Sequence, residues 1–130
     1  MIVVDASALT ETLLRPPAAK AAKAVEDWLF APRQTLHAPH LLDVEVAHVI
    51  RRYAANGDIG GDRGRIALAD LTDFPLRRYP HDFLLPRIWD LRNNLTAYDA
   101  TYVALAEALD APLLTRDRRL AAHRAQVELV

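Results

Sequence analysis

Met1-Ile-Val-Val-Asp5-Ala-Ser7 opens the chain, and the reading of this stretch decides the fold. Ile2, Val3 and Val4 form an unbroken β-branched run without polar alternation, the pattern of a strand buried on both faces of a parallel sheet. The run ends in a carboxylate. Residues 7–14 then read as a helix, stopped by Pro16-Pro17. The alternation continues outward from there. Residues 18–30 place Ala21, Val25 and Trp28-Leu29 at helical spacing, and 35–38 read as a second strand. From Pro39 a long helix runs to Tyr53 and ends at Asn56-Gly57. Helices are expected over 65–74, 82–93 and 96–109, the last with Tyr98, Tyr102, Leu105 and Leu109 as an apolar stripe. Residues 76–79, 112–115 and 127–130 read as strands, with a short turn or helix from Asp117.

Short strands alternating with helices imply parallel pairing through right-handed crossovers. The expected fold is therefore a three-layer α/β/α sandwich around a mainly parallel sheet of four to five short strands. Residues 1–130 make one domain, since single cores hold on the order of 100–200 residues. In open sheets of this kind, ligands sit beyond the carboxyl ends of the strands. Asp5 closes the first strand and Asp117 lies just past the fourth.

Composition narrows the chemistry. The 130 residues carry 16 Lys+Arg against 17 Asp+Glu, a net charge of −1, and 52% of them are apolar. Cys is absent, which removes disulfide scaffolds, Cys-zinc sites, iron–sulfur clusters and thiol nucleophiles. Asp5 and Glu11 interrupt the early apolar run, so no signal peptide is read, and no stretch reaches the roughly 18–20 apolar residues of a membrane span. A soluble, cytoplasmic protein is expected. Near-zero charge argues against a generic nucleic-acid binder. Yet all but Lys20 and Lys23 of the basic residues are Arg, with groups at 51–52, 77–78 and within 116–124, and Arg presents a planar fork suited to phosphate. The four glycines fall between Gly57 and Gly64; with no Gly-Lys-Ser/Thr following, they read as a flexible turn between helices.

Four carboxylates stand apart from the ordinary surface and turn acids. Asp5 can cap the helix beginning near Ser7. Glu45 falls on the shoulder of an apolar arc of Leu42, Val46, Val49 and Tyr53, where an unpaired charge is costly. Asp99 follows Thr96 by three residues, in the manner of a capping box, and flanks the Tyr98/Tyr102 stripe. Asp117 can cap the short helix after it. Each has a local explanation, but together they place four carboxylates beyond one strand edge, where mutual repulsion calls for a cation. Oxygen donors without Cys or His suit Mg²⁺ or Mn²⁺ rather than zinc.

These residues resemble the PIN-domain family at four places in register: Asp5-Ala-Ser7, Glu45-Val-Ala-His-Val-Ile-Arg51-Arg52, Thr96-Ala-Tyr-Asp99-Ala-Thr-Tyr-Val-Ala-Leu-Ala106, and Leu113-Leu-Thr115-Arg-Asp117. The size is similar to the VapC toxin branch of type II toxin–antitoxin systems. The resemblance implies a Mg²⁺-dependent endoribonuclease, with Mn²⁺ a substitute, that is silenced by a VapB-type antitoxin and forms a homodimer. It implies Asp5 and Asp99 as metal ligands, Glu45 and Asp117 completing the pocket, and 5′-phosphate and 3′-hydroxyl products. Ser7 and Thr115 would orient carboxylates or waters, and Arg116 and Arg118 would meet substrate phosphates. The antitoxin would insert a segment, with an Arg of its own, near the acids. Trp28 and Tyr53 mark candidate dimer helices. His48 departs from the family pattern, where a small or apolar residue is more usual.

Other readings are weaker. His37, His40 and Asp43 form a poor metal motif across a proline, and His81 and His123 read as surface residues. An aspartyl-phosphate enzyme would want a second acid where Ser7 stands and a Lys after a later strand. A PIN-type nuclease of RNA processing or DNA repair, or an inactive PIN binding module, are the alternatives within the resemblance.

Overall fold

The computed structural model describes residues 1–15, 20–121 and 127–130. Its centre is β1 (Ile2–Val4), whose three side chains are wholly buried, as a β-branched run in a parallel sheet requires. The other strands are β2 (Leu36–Pro39), β3 (Leu76–Tyr79), β4 (Leu113–Thr115) and β5 (Val127–Leu129), in the order β3-β2-β1-β4-β5, all parallel. Val3 pairs with His37 on one side and Leu113 on the other, which fixes the central register.

The helices are α1 (Ala6–Leu14), α2 (Lys20–Phe30), α3 (Leu41–Ala55), α4 (Gly61–Asp73), α5 (Leu85–Asp90), α6 (Ala97–Leu109) and α7 (Arg118–Ala121). After β1 the chain builds outward through β2 and β3, then returns through α5 and α6 to lay β4 on the opposite side of β1. That reversal opens a crevice at the carboxyl ends of β1 and β4. Asp5 ends β1 there, and Arg116 and Asp117 follow β4. The two inner helices are buried along most of their length, polar positions included: α1 buries residues 8–13, and α6 buries every residue from 100 to 106. No helix of the described residues is long and apolar enough to cross a membrane.

Several expected boundaries shift. The glycine-rich segment is not a turn up to residue 64, because α4 begins at Gly61 with Gly60 as its extended N-cap and Asp62 in the first turn. Gly57, at φ +78, holds the actual turn. Gly64 serves packing instead, since a Cβ there would stand 3.1 Å from Ile50 Cγ2 and crowd the side chain α3 presents to α4. The expected helix over 82–93 is a 3-10 turn, Asp82–Leu84, followed by α5, because Pro86 starts a new helix rather than continuing one. Arg15, in the left-handed conformation at φ 46, ends α1; Pro16-Pro17, read as its stop, and the start of the helix expected from Ala18 lie outside the described residues, as do His123 and Arg124.

Two apolar stripes are narrower than the spacing suggests. On α3, Leu42, Val46 and Ile50 are buried, whereas Tyr53 is exposed, because the side carrying Val49 and Tyr53 borders an open cavity instead of a packed neighbour. On α6, Tyr102 and Leu105 are buried but Tyr98, in the first turn, is 61% exposed at the mouth of the crevice.

Candidate functional site

Asp5 does two jobs. As the extended N-cap of α1 its Oδ1 accepts from the Ala8 amide at 3.0 Å and from Ser7 Oγ at 2.6 Å. Its Oδ2 accepts from the hydroxyl of Thr115, at the end of β4. Thr115 Oγ1 in turn accepts from the Asp117 amide at 2.9 Å, and Ser7 Oγ from the Arg116 amide at 3.1 Å. The two hydroxyls therefore stitch the ends of β1 and β4 together around one carboxylate. Burial pushes the Asp5 pKa up, against the pull of these three hydrogen bonds, and the charge of Asp99 adds to the rise.

Glu45 reaches the same crevice from α3. Its Oε1 accepts from the Tyr102 hydroxyl at 2.5 Å. Burial raises its pKa first, then the charges of Asp99 and Asp5; the Tyr102 hydrogen bond and His48 act the other way. Tyr102 is held protonated, its pKa driven far up by burial and by Glu45. Asp99 lies in the first turn of α6, where the Thr96 hydroxyl caps its amide at 3.2 Å. Its pKa too is raised, by burial and then by Asp117. Asp117 differs: hydrogen bonds from Arg119 pull its pKa down.

Asp5, Glu45, Asp99 and Asp117 thus line one cavity of about 590 Å³ at the carboxyl ends of β1 and β4. Three of the four are desolvated, and the charge of another acid of the set raises each of them further, the signature of negative charge gathered without enough counter-charge. All the donors are hard oxygens, the chemistry that fits a divalent cation of the Mg²⁺ type. Among the described residues no three His, Cys, Asp or Glu side chains already stand as a finished metal-binding set. Asp117 is turned onto Arg119, at 2.7 Å, instead of onto its fellow acids.

The remaining sequence candidates fall elsewhere. Arg116 and Arg118 do not line this cavity. Arg116 Nε lies 2.6 Å from Oε2 of buried Glu11, an ion pair that ties α1 to the segment after β4, and Arg118 borders a separate cavity with Lys20. The His37, His40, Asp43 grouping is dispersed. His37 is buried between Thr35 and Tyr79, His40 meets the ring of His81, and Asp43 pairs with Arg78 at 2.8 Å.

Four residues at or beside the crevice escaped the sequence reading. Tyr102 looked like plain core, although its spacing of three from Asp99 puts both on one face of α6. Glu11, read only as a break in the early apolar run, is 8% exposed. Arg52 lines the cavity from the same face of α3 as Glu45 and His48, and Arg119 was one of a basic group.

Residues 2–125 match the family described as PIN domain. The chain is 47% identical over 120 residues to ribonuclease VapC9 of Mycobacterium tuberculosis, covering 92% of this chain and 88% of that one. It is 26% identical to PAE2754 of Pyrobaculum aerophilum, whose crystal structure superposes with a TM-score of 0.72 over 99% of this chain and 88% of that one. A toxin–antitoxin complex of Klebsiella pneumoniae shares the fold at 21% identity and a TM-score of 0.69, covering 98% of this chain and 96% of the other.

Proposed function

The chain belongs to the PIN-domain family, and on that premise we propose that it is a metal-dependent endoribonuclease, the toxin of a VapBC-type toxin–antitoxin pair, built as a single catalytic domain. The observation that carries the reading is the cavity itself: Asp5, Glu45, Asp99 and Asp117 line it at the sheet's switch point, three of them with raised pKa values. Relatives named as VapC ribonucleases at up to 47% identity supply the substrate class.

Asp5 and Asp99 would hold a divalent ion, with Glu45 and Asp117 joining directly or through water; Mg²⁺ suits these donors, and Mn²⁺ can replace it. When bound, the ion supplies an activated water at neutral pH and offsets charge on the scissile phosphate, which leaves 5′-phosphate and 3′-hydroxyl ends. The chain's own residues fix the geometry. Ser7 and Thr115 hold the Asp5 carboxylate from both oxygens, and Tyr102 holds one oxygen of Glu45. Arg52 stands on the cavity wall for a substrate phosphate, and the exposed ring of Tyr98 offers a stacking face for an unpaired base. An acidic cleft also suits a basic segment of an antitoxin protein. The protein acts in the cytoplasm, as a homodimer.

The test compares wild type with Asp5→Asn and Asp99→Asn on total RNA, each with Mg²⁺ and with EDTA. Discrete 5′-phosphorylated fragments are expected from wild type with Mg²⁺ alone. Each substitution should lower cleavage by at least the ~100-fold that losing an outer partner of a metal ligand can cost. Cleavage that survives EDTA and both substitutions would overturn the reading.

A further inference from the structure

One cation already stands among the carboxylates. Arg119 Nη2 lies 2.7 Å from Asp117 Oδ2, and its Nε reaches both Asp117 oxygens at 3.1 and 3.2 Å. Its backbone amide donates to Asp117 Oδ1 at 2.9 Å. The same Nη2 is 3.9 Å from Asp99 Oδ2, so the guanidinium bridges the two acids across the cavity lip. Nothing packs it there: the side chain is 78% exposed and is held by charge and by its fork alone.

The consequences follow from electrostatics. A guanidinium that spans Asp117 with two donors fixes that carboxylate in an orientation of its own choosing. It also places positive charge where a dication must enter, and both cations draw on the same two acids. We propose that Arg119 is an internal counter-ion that competes with the divalent ion for Asp117 and Asp99 and must swing away before Asp117 can join the metal set. Arg119 is thus a positioning residue acting through Asp117. Its exposure lets it leave at little cost, and once released it remains at the lip, where a polyanionic substrate arrives. The arrangement offsets the repulsion between Asp99 and Asp117 while the metal is absent, and it lowers metal affinity to the extent that the latch must be broken. The proposal rests on the cavity being a metal site.

The experiment titrates Mn²⁺ into the protein without RNA and follows the loss of the free Mn²⁺ electron paramagnetic resonance signal. The proteins are wild type, Arg119→Ala, Arg119→Met, Arg118→Ala and Asp99→Asn. Arg119→Met keeps an unbranched apolar stem at the position, so agreement between the two Arg119 variants removes packing as a cause. Both should bind Mn²⁺ about 1.5- to fivefold more tightly than wild type, the range an exposed ion pair can contribute. Arg118→Ala removes the same unit of charge one residue away and should leave the Kd unchanged. Unchanged or weaker binding in the Arg119 variants would overturn the latch. So would equal tightening in Arg118→Ala, because the effect would then be the general field. If Asp99→Asn binds Mn²⁺ as wild type does, the metal-site reading falls and takes the latch with it. If Asp99→Asn loses affinity while the Arg119 variants match wild type, the latch alone is wrong.

Discussion

Between β2 and β3, His37 is 1% exposed and both its ring nitrogens are engaged, Nε2 2.6 Å from the Thr35 hydroxyl and Nδ1 2.6 Å from the Tyr79 hydroxyl. At the ends of β1 and β4, Asp5 is buried nearly as well and also accepts from two hydroxyls, yet it shares its cavity with three more carboxylates. The two clusters use the same parts, a titratable group clamped by two hydroxyls, one of them from a neighbouring parallel strand. They differ in charge balance. A neutral imidazole can donate from one nitrogen and accept at the other, so two rotating hydroxyls complete it. A carboxylate with hydroxyl donors is well held, but the neighbouring acids leave it electrostatically unfinished. Satisfied burial marks structure, and burial with surplus like charge marks a place prepared for a ligand.

Substituting the hydroxyls tests that distinction. Thr115→Val is nearly isosteric, but it strips Asp5 Oδ2 of its donor and the Asp117 amide of its acceptor at once. We expect RNA cleavage to fall roughly 10- to 100-fold, the usual cost of losing a partner that orients a metal ligand. Mn²⁺ affinity should fall with it. A variant with wild-type turnover would show that the hydroxyl serves only the fold. His37→Leu is the counterpart at the other cluster. It orphans the Tyr79 hydroxyl and should cost about 1–3 kcal/mol in denaturant unfolding, with turnover per folded molecule unchanged. A drop in turnover there, at full folding, would erase the contrast between the clusters.

Much of this was legible in the sequence for reasons that are themselves physical. A strand buried on both faces must be apolar throughout, so Ile2-Val3-Val4 announced the sheet, and the alternation with helices announced its parallel order. Asp5 and Asp117 could be placed because ligands gather at carboxyl ends, a rule of topology that needs no coordinates. What stayed hidden depends on long-range side-chain contact. The Tyr102–Glu45 bond joins residues 57 apart, and Glu11 is buried because α2 and the segment after β4 close over it. Periodicity says which face turns inward but not which polar atom waits there. It also overstated two stripes, at Tyr53 and Tyr98, because a face lining an open cleft carries the same apolar spacing as one that is packed.

The smallest effect separates the clusters by sign. Burial lowers the His37 pKa, with help from the N-terminal ammonium and Arg77. The folded state therefore binds this proton less readily than the unfolded chain, whose imidazole has the ordinary value near 6.5. The stability His37 contributes is complete above that value and declines as pH falls below it, toward the lowered folded pKa. For Asp5, Glu45 and Asp99 the folded pKa lies above the unfolded one. Their ionisation opposes folding: the strain is absent below the ordinary carboxylate range and complete once pH exceeds the raised values. Measured as Tm against pH without divalent ions, wild type should lose stability on the acid side of 6.5 through His37. The carboxylates should return stability as pH falls from their raised values to the ordinary carboxylate range. His37→Leu should flatten the first limb, and Asp99→Asn should shrink the second. Adding Mg²⁺ should raise Tm where the carboxylates are ionised and leave it unmoved where they are protonated, because a ligand stabilises only the form that binds it. Wild-type and His37→Leu profiles of identical shape between about pH 7 and 5.5 would refute the first assignment. An equal Mg²⁺ shift at every pH would refute the second.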